Sequence, residues 1–213
     1  MLVNWQQNYV FVHVPKTGGT SITQLLKHDC VRPPLPLRAI GYAFDHAGHT
    51  LPATLFPIVG YPYHARASDL RAAWGERDAQ LCSVAFVRNP WDLGVPEYHF
   101  IASKWDHPHR ATVRQLGSFE TYVHWKRDTG NHTNQVAWLH DDKGNQIVSK
   151  IGRFERYQKD AEEILQRLKC RRNLPHANAT RHANYIDHYT SKTRAMVGQM
   201  YANDIAKFDY VFS

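Results

Sequence analysis

The sequence predicts an α/β fold: a mainly parallel sheet flanked by helices. Two apolar runs, Tyr9 to Val14 and Leu81 to Val87, read as buried strands because polar breaks are almost absent. Each is followed at once by a turn and a helical pattern, the signature of strand–turn–helix units. No repeat, low-complexity tract or shift in composition divides the 213 residues, so residues 1–213 read as a single domain.

The elements follow in order. Pro15 ends the first strand, Gly18 and Gly19 turn the chain, and Thr20 or Ser21 is expected to cap a helix through Ile22, Leu25 and Leu26. Residues 29–36 (DCVRPPLP) read as loop. Residues 41–54, with His46 and His49 among glycines and small residues, read as a surface loop able to carry function. Leu55 to Tyr61 reads as a short strand with His64 just beyond it, and Pro57 argues against a central position. Ser68 is expected to cap a helix over Asp69 to Trp74, stopped by Gly75. After Leu81 to Val87 comes Arg88-Asn89-Pro90-Trp91-Asp92, then a helix through Ile101. Phe119 to Trp125 reads as a helix. Val136 to Leu139 and Gln146 to Ile151 flank a hairpin turn at Asp141 to Asn145. Tyr157 to Leu168 is an amphipathic helix, 171–184 a basic loop, Ser191 to Asp204 a helix, and Phe208 to Phe212 a closing apolar segment.

Composition bounds the chemistry. The hydrophobic share of 43% and charged share of 21% describe a globular chain. A formal charge of +7, with 14 histidines, suits anionic partners without choosing among them. The basic residues are scattered and carry no helix-turn-helix or RNA-recognition signature, which argues against nucleic acid. Cys30, Cys82 and Cys170 are odd in number and lack metal spacing, so no metal is expected and a reducing compartment is the default. With no leader pattern and no apolar run long enough to span a bilayer, a cytoplasmic, bacterial-type enzyme is expected. A Golgi-lumenal domain cut from its anchor would look similar.

The motif of most interest is Lys16-Thr17-Gly18-Gly19-Thr20-Ser21. Glycines and a lysine at a helix N-terminus make an anion site suited to phosphate or sulfate. It is not a Walker A loop, in which the lysine follows the glycines. An ordinary strand-to-helix turn would also need both glycines. The second strand ends in Arg88; if the two strands are neighbours, Lys16 and Arg88 face one crevice, since such sheets bind ligands at their carboxyl edge.

VPKTGGTSI, FVRNPWD and IGRFE, in that order, resemble the carbohydrate sulfotransferase-like group called sulfotransferase family 2. The resemblance runs from about Tyr9 to Phe212 and includes HARASDLRAAWG, DDKGNQIVSKIGRFERY and YANDIAKFDYVF. It implies a three-layer, P-loop-like fold and a donor, 3′-phosphoadenosine 5′-phosphosulfate (PAPS), with adenosine 3′,5′-bisphosphate (PAP) as product. By the same resemblance Lys16, Thr17, Gly18, Gly19, Thr20 and Ser21 would hold the 5′-phosphosulfate, and Lys16 would meet charge developing on the bridging oxygen. Arg88 would begin the 3′-phosphate element, with Arg181 in the basic loop in reserve. His64 resembles the base that deprotonates the acceptor in a direct in-line transfer, and His46 and His49 are its competitors. Glu155 and the polar-flanked Trp105 are candidates for contact with a saccharide or hydroxylated small-molecule acceptor. The chain departs from the family pattern after Arg88: Leu93 replaces a second arginine, Pro96 replaces a phosphate-binding serine, and Glu97 adds negative charge. The alternatives are a nucleotide-dependent kinase, which lacks an acidic Walker B strand here, and a catalytically impaired nucleotide- or glycan-binding module.

Overall fold

The computed structural model describes residues 1–30, 34–46, 55, 64–75, 81–172, 174 and 184–213. They divide into two compact units, Met1–Val87 with Ala137–Ala177, and Arg88–Val136 with Asn178–Ser213.

The first unit holds a mixed, mostly parallel sheet of four strands flanked by helices, the α/β class expected from the sequence. The strands are β1 (Leu2–Asn4), β2 (Tyr9–Val12), β3 (Cys82–Val87) and β4 (Lys150–Arg153), in the order β1-β2-β3-β4. β1 runs antiparallel to β2, with Val3 opposite Val10. β2, β3 and β4 are parallel, with Phe11 opposite Val84 and Ala85 opposite Ile151. The carboxyl ends of β2 and β3 therefore lie at one edge of the sheet.

Both predicted strands are buried on both faces, which explains their unbroken apolar character. Tyr9, Phe11, Val84 and Phe86 meet Ile22 and Leu26 of α1 (Gly19–Leu26) in one apolar cluster. Gly152 of β4 lies under Phe86: a Cβ there would stand 2.6 Å from the ring. The helix predicted over Tyr157 to Leu168 closes the same cluster through Ala161, Ile164, Leu165 and Leu168. Each buried Leu, Ile, Val or Phe of this cluster, taken fully from water, contributes roughly 1.5–3 kcal/mol.

Several boundaries differ from the sequence reading. The segment read as loop is partly helical, because α2 spans Leu35–His46. The proposed strand at 55–61 lies outside the described residues except for Leu55. Ser68 lies inside α3 (Ala67–Trp74), whose N-cap is Arg66; the Asp69 carboxylate accepts from the Arg66 N–H at 2.8 Å, and Gly75 ends the helix as expected. The expected hairpin pairing is much shortened. The turn exists, its Asp141 carboxylate accepting from the N–H groups of Lys143 and Asn145, but the ladder beyond it is a single bridge between His140 and Gln146. Val136–Leu139 instead forms one helical turn, with the Asp204 carboxylate accepting from the Val136 N–H. The strand starts later, at Lys150, and pairs with β3 after the Ser149 hydroxyl bonds the Ser83 carbonyl at 2.7 Å.

The second unit is helical. The helix after β3 spans Pro90–Ser103, and those predicted near 119 and 191 span Phe119–Thr129 and Ser191–Met200. A further helix covers Arg110–Leu116. The C-terminal helix breaks at Tyr201 and resumes over Ala202–Phe208. Asp204 is fully buried and accepts from the Gln135 N–H at 2.7 Å, which ties this last helix to the chain before Val136.

Candidate active site

The first unit builds its site at the carboxyl edge of β2. After Val12 the chain stays buried through His13 and Val14 and then turns. Lys16 has φ 62° and Gly18 φ 82°, both left-handed. For Lys16 this costs of order 1–3 kcal/mol, a strain typical of sites where backbone is arranged for a ligand. Thr17, fully buried, donates its hydroxyl to the Val14 carbonyl at 3.0 Å and pins the turn from inside. Its side chain thus holds the loop.

The expected cap at Thr20 or Ser21 is not there. Gly18 is the N-cap and, as a glycine, makes no side-chain cap bond, and the first turn holds no acidic residue. Thr20 and Ser21 stand within the first turn instead. A glycine N-cap leaves the N-terminal N–H groups to a ligand or water, and the helix dipole favours an anion there. Gly18 is required twice over: by its left-handed φ, and because a Cβ would sit 2.9 Å from Tyr157 and 3.0 Å from Phe154. Tyr157 also donates its hydroxyl to the Gly18 carbonyl at 2.9 Å. Burial raises the Tyr157 phenol, countered in part by hydrogen bonds from Ser21 and the Ile22 N–H.

His64, exposed at its own position, is brought to this loop through His13. Its Nδ1 lies 2.9 Å from the His13 carbonyl oxygen, and the two rings are 4.9 Å apart. Trp138 lies edge-on to His64 at 6.1 Å, and Arg66 sits 5.8 Å from the Trp138 ring centre. His13 is buried, and its imidazole is pushed down to about 3 by burial and then by the neighbouring His64.

The other sequence candidates fall in different places. Glu155 is exposed in the short 3-10 turn Phe154–Arg156, beside the Phe154 that abuts Gly18. His46 ends α2 rather than standing in a loop. His49 and Arg181 lie outside the described residues. Arg88 and Trp105 belong to the second unit. There the Arg88 guanidinium is buried and donates to both Asp92 oxygens, at 2.7 and 3.0 Å, while its main chain exchanges two hydrogen bonds with Gln135. Trp105 is 84% exposed. Pro96 lies inside the helix, and the Glu97 carboxylate is engaged by the Lys126 ammonium and the Tyr122 hydroxyl. Among the described residues no group of His, Cys, Asp or Glu is arranged to hold a metal ion, and no helix is long and apolar enough to cross a membrane.

The chain matches the profile described as "Sulfotransferase family" over residues 1–211. The chain belongs to the sulfotransferase family. No curated protein matches it. Family membership supports sulfuryl transfer in general and, with it, a nucleotide donor and a hydroxylated acceptor. In this sulfotransferase-family chain, sequence reasoning missed His13 and Tyr157. A signal existed for His13, the one histidine inside an otherwise apolar strand run. Nothing in a linear reading joins Tyr157 to Gly18, 139 positions apart.

Proposed function

We propose that this protein transfers a sulfuryl group from PAPS to a hydroxyl of a saccharide or a hydroxylated small molecule, in line and without a covalent enzyme intermediate. The observation carrying this reading is the glycine N-cap of α1, set behind two left-handed residues and linked through His13 to His64, in a chain of this family. The cradle suits a tetrahedral anion: its turn is glycine-built, it holds no carboxylate in the first helical turn, and Lys16 precedes it.

In this reading the N–H groups of Gly18, Gly19, Thr20 and Ser21 bind the donor's 5′-phosphate, with the Thr20 and Ser21 hydroxyls adding contacts. Lys16 meets the charge that grows on the bridging oxygen as the sulfur–oxygen bond breaks, where one preorganised donor is worth about 3–4 kcal/mol. His64 takes the acceptor's proton as the new oxygen–sulfur bond forms. Its Nδ1 must donate to the His13 carbonyl, which only accepts, so the neutral ring carries its lone pair on Nε2. Arg88 contributes to the 3′-phosphate site with help from Arg181, while His46, His49, Glu155 and Trp105 are acceptor-side candidates. Its pairing with Asp92 means that Arg88 would share its fork between carboxylate and phosphate.

Calorimetry with PAP tests the donor assignment: the wild type binds, and Lys16→Ala and Arg88→Ala bind more weakly. A wild type that binds no PAP removes the assignment. Labelled PAPS with a panel of saccharides and phenols, read by product mass, identifies the acceptor class. His64→Ala should abolish transfer while leaving PAP affinity within about threefold, since a general base contributes roughly 10²–10⁴-fold in rate.

A further inference from the structure

The first unit places one imidazole, that of His13, between the two halves of the proposed chemistry. Its ring lies against the start of α1: a Cβ built on Gly19 would stand 2.3 Å from His13 Cδ2 and 2.4 Å from Nε2. Gly19 is therefore side-chain-free because His13 fills the space. On its other side the ring is 4.9 Å from His64, and the residue's own carbonyl receives the His64 Nδ1–H. His13 is 3% exposed and is carried at the end of a fully buried strand, so the ring has little room to swing.

We propose that His13 is a positioning residue that couples donor loop to base: its carbonyl selects the Nδ1–H tautomer of His64, and its ring wedges the base at a set distance from the first turn of α1. The inference rests on the reading of His64 as base.

Two physical consequences follow. When His64 takes a proton on Nε2, its Nδ1–H···O=C bond becomes charge-assisted and strengthens, so the carbonyl stabilises the imidazolium as it forms. The His13 ring does not oppose that charge, because burial and the nearness of His64 keep it neutral. The wedge also explains why a polar ring stands in an apolar strand run: it is a flat spacer between a helix N-terminus and a second imidazole.

The tautomer and PAP-binding measurements need no acceptor. Long-range nitrogen–proton NMR of ¹⁵N-histidine-labelled protein, with the His64 signals assigned by difference from His64→Gln, reads the tautomer directly. In the wild type above neutral pH, His64 Nδ1 should be pyrrole-like and Nε2 pyridine-like. His13→Ala leaves a cavity between α1 and His64, so it should shift His64 towards a mixture of tautomers and weaken PAP about tenfold as the first turn of α1 loses its support. His13→Phe keeps the ring volume and should restore the tautomer, with PAP affinity within about threefold of wild type. A wild-type His64 protonated on Nε2, a His13→Ala protein with unchanged tautomer and PAP affinity, or a His13→Phe protein as impaired as His13→Ala would each overturn the proposal. Transfer retained by His64→Ala would instead remove the base reading and leave the tautomer result standing. A wild type without PAP binding removes the donor reading, and the tautomer arm then decides.

Discussion

Replacing Gly19 by alanine puts the proposed link between the donor loop and His64 under a measurable load. Gly19 is the first residue of α1 and has no left-handed requirement, so alanine is locally favoured there by about 0.5–1 kcal/mol. The added Cβ, however, lands 2.3 Å from His13, whereas ordinary contact begins at 3.4 Å. Ring or helix must retreat by roughly 1 Å, and overpacking of this kind costs about 1–3 kcal/mol. The His13 ring is held by strand β2 and by His64, and α1 by Ile22 and Leu26 in the core. With the propensity gain set against the clash, the net loss should be about 1–2 kcal/mol. If His64 is the base, as proposed, the functional loss should be larger, because a displacement of that size at a reacting group can cost ~10²-fold. Thermal unfolding, PAP calorimetry and transfer rate measure the three effects. Gly144→Ala is the control: φ is +81° there and nothing stands within 4 Å, so strain appears without a clash. Gly19→Ala with wild-type stability and PAP affinity would refute the reasoning.

Other expectations concern charge. Glu97→Gln should destabilise by about 3 kcal/mol in chemical denaturation, because it strands a buried ammonium. Burial by itself pulls Lys126 down, yet the Glu97 carboxylate, with Tyr201 and Tyr122, holds it well above the usual lysine value. His13 should make the fold acid-sensitive. Its folded pKa of about 3 lies below the unfolded value of 6.5, so the unfolded chain binds the extra proton. The His13 contribution is complete above pH 6.5 and falls as pH drops towards 3, by about 1.4 kcal/mol per unit, or about 2 kcal/mol lost at pH 5. Stability against pH should show that slope in the wild type and a flatter one in His13→Phe. Thr17→Val should cost about 1 kcal/mol in thermal unfolding through loss of the buried bond to the Val14 carbonyl.

Strand–turn–helix units are local, and so were legible: an apolar run followed by Pro15 and two glycines can be read within a dozen residues. The amphipathic helix at Tyr157–Arg167 was legible for the same reason, since its period marks the buried face. The order of motifs also disclosed the family. Helix boundaries were less legible. Thr20 and Ser21 are good caps in isolation, but a left-handed Gly18 starts the helix sooner. The hairpin failed through a distant partner: Asp204 gathers the N–H groups of Gln135 and Val136 and starts a helical turn where a strand was expected.

Local sequence was enough for the sheet's buried strands and for the glycine turn that leads from Lys16 into α1. Periodicity, backbone freedom and the helix dipole are properties of neighbouring residues. Only the tertiary structure decided that His13 stands between Gly19 and His64, that Tyr157 and Phe154 close on Gly18, and that Glu97 answers Lys126. Those contacts join residues far apart in the chain. They depend on strand register and helix docking, which local pattern does not specify.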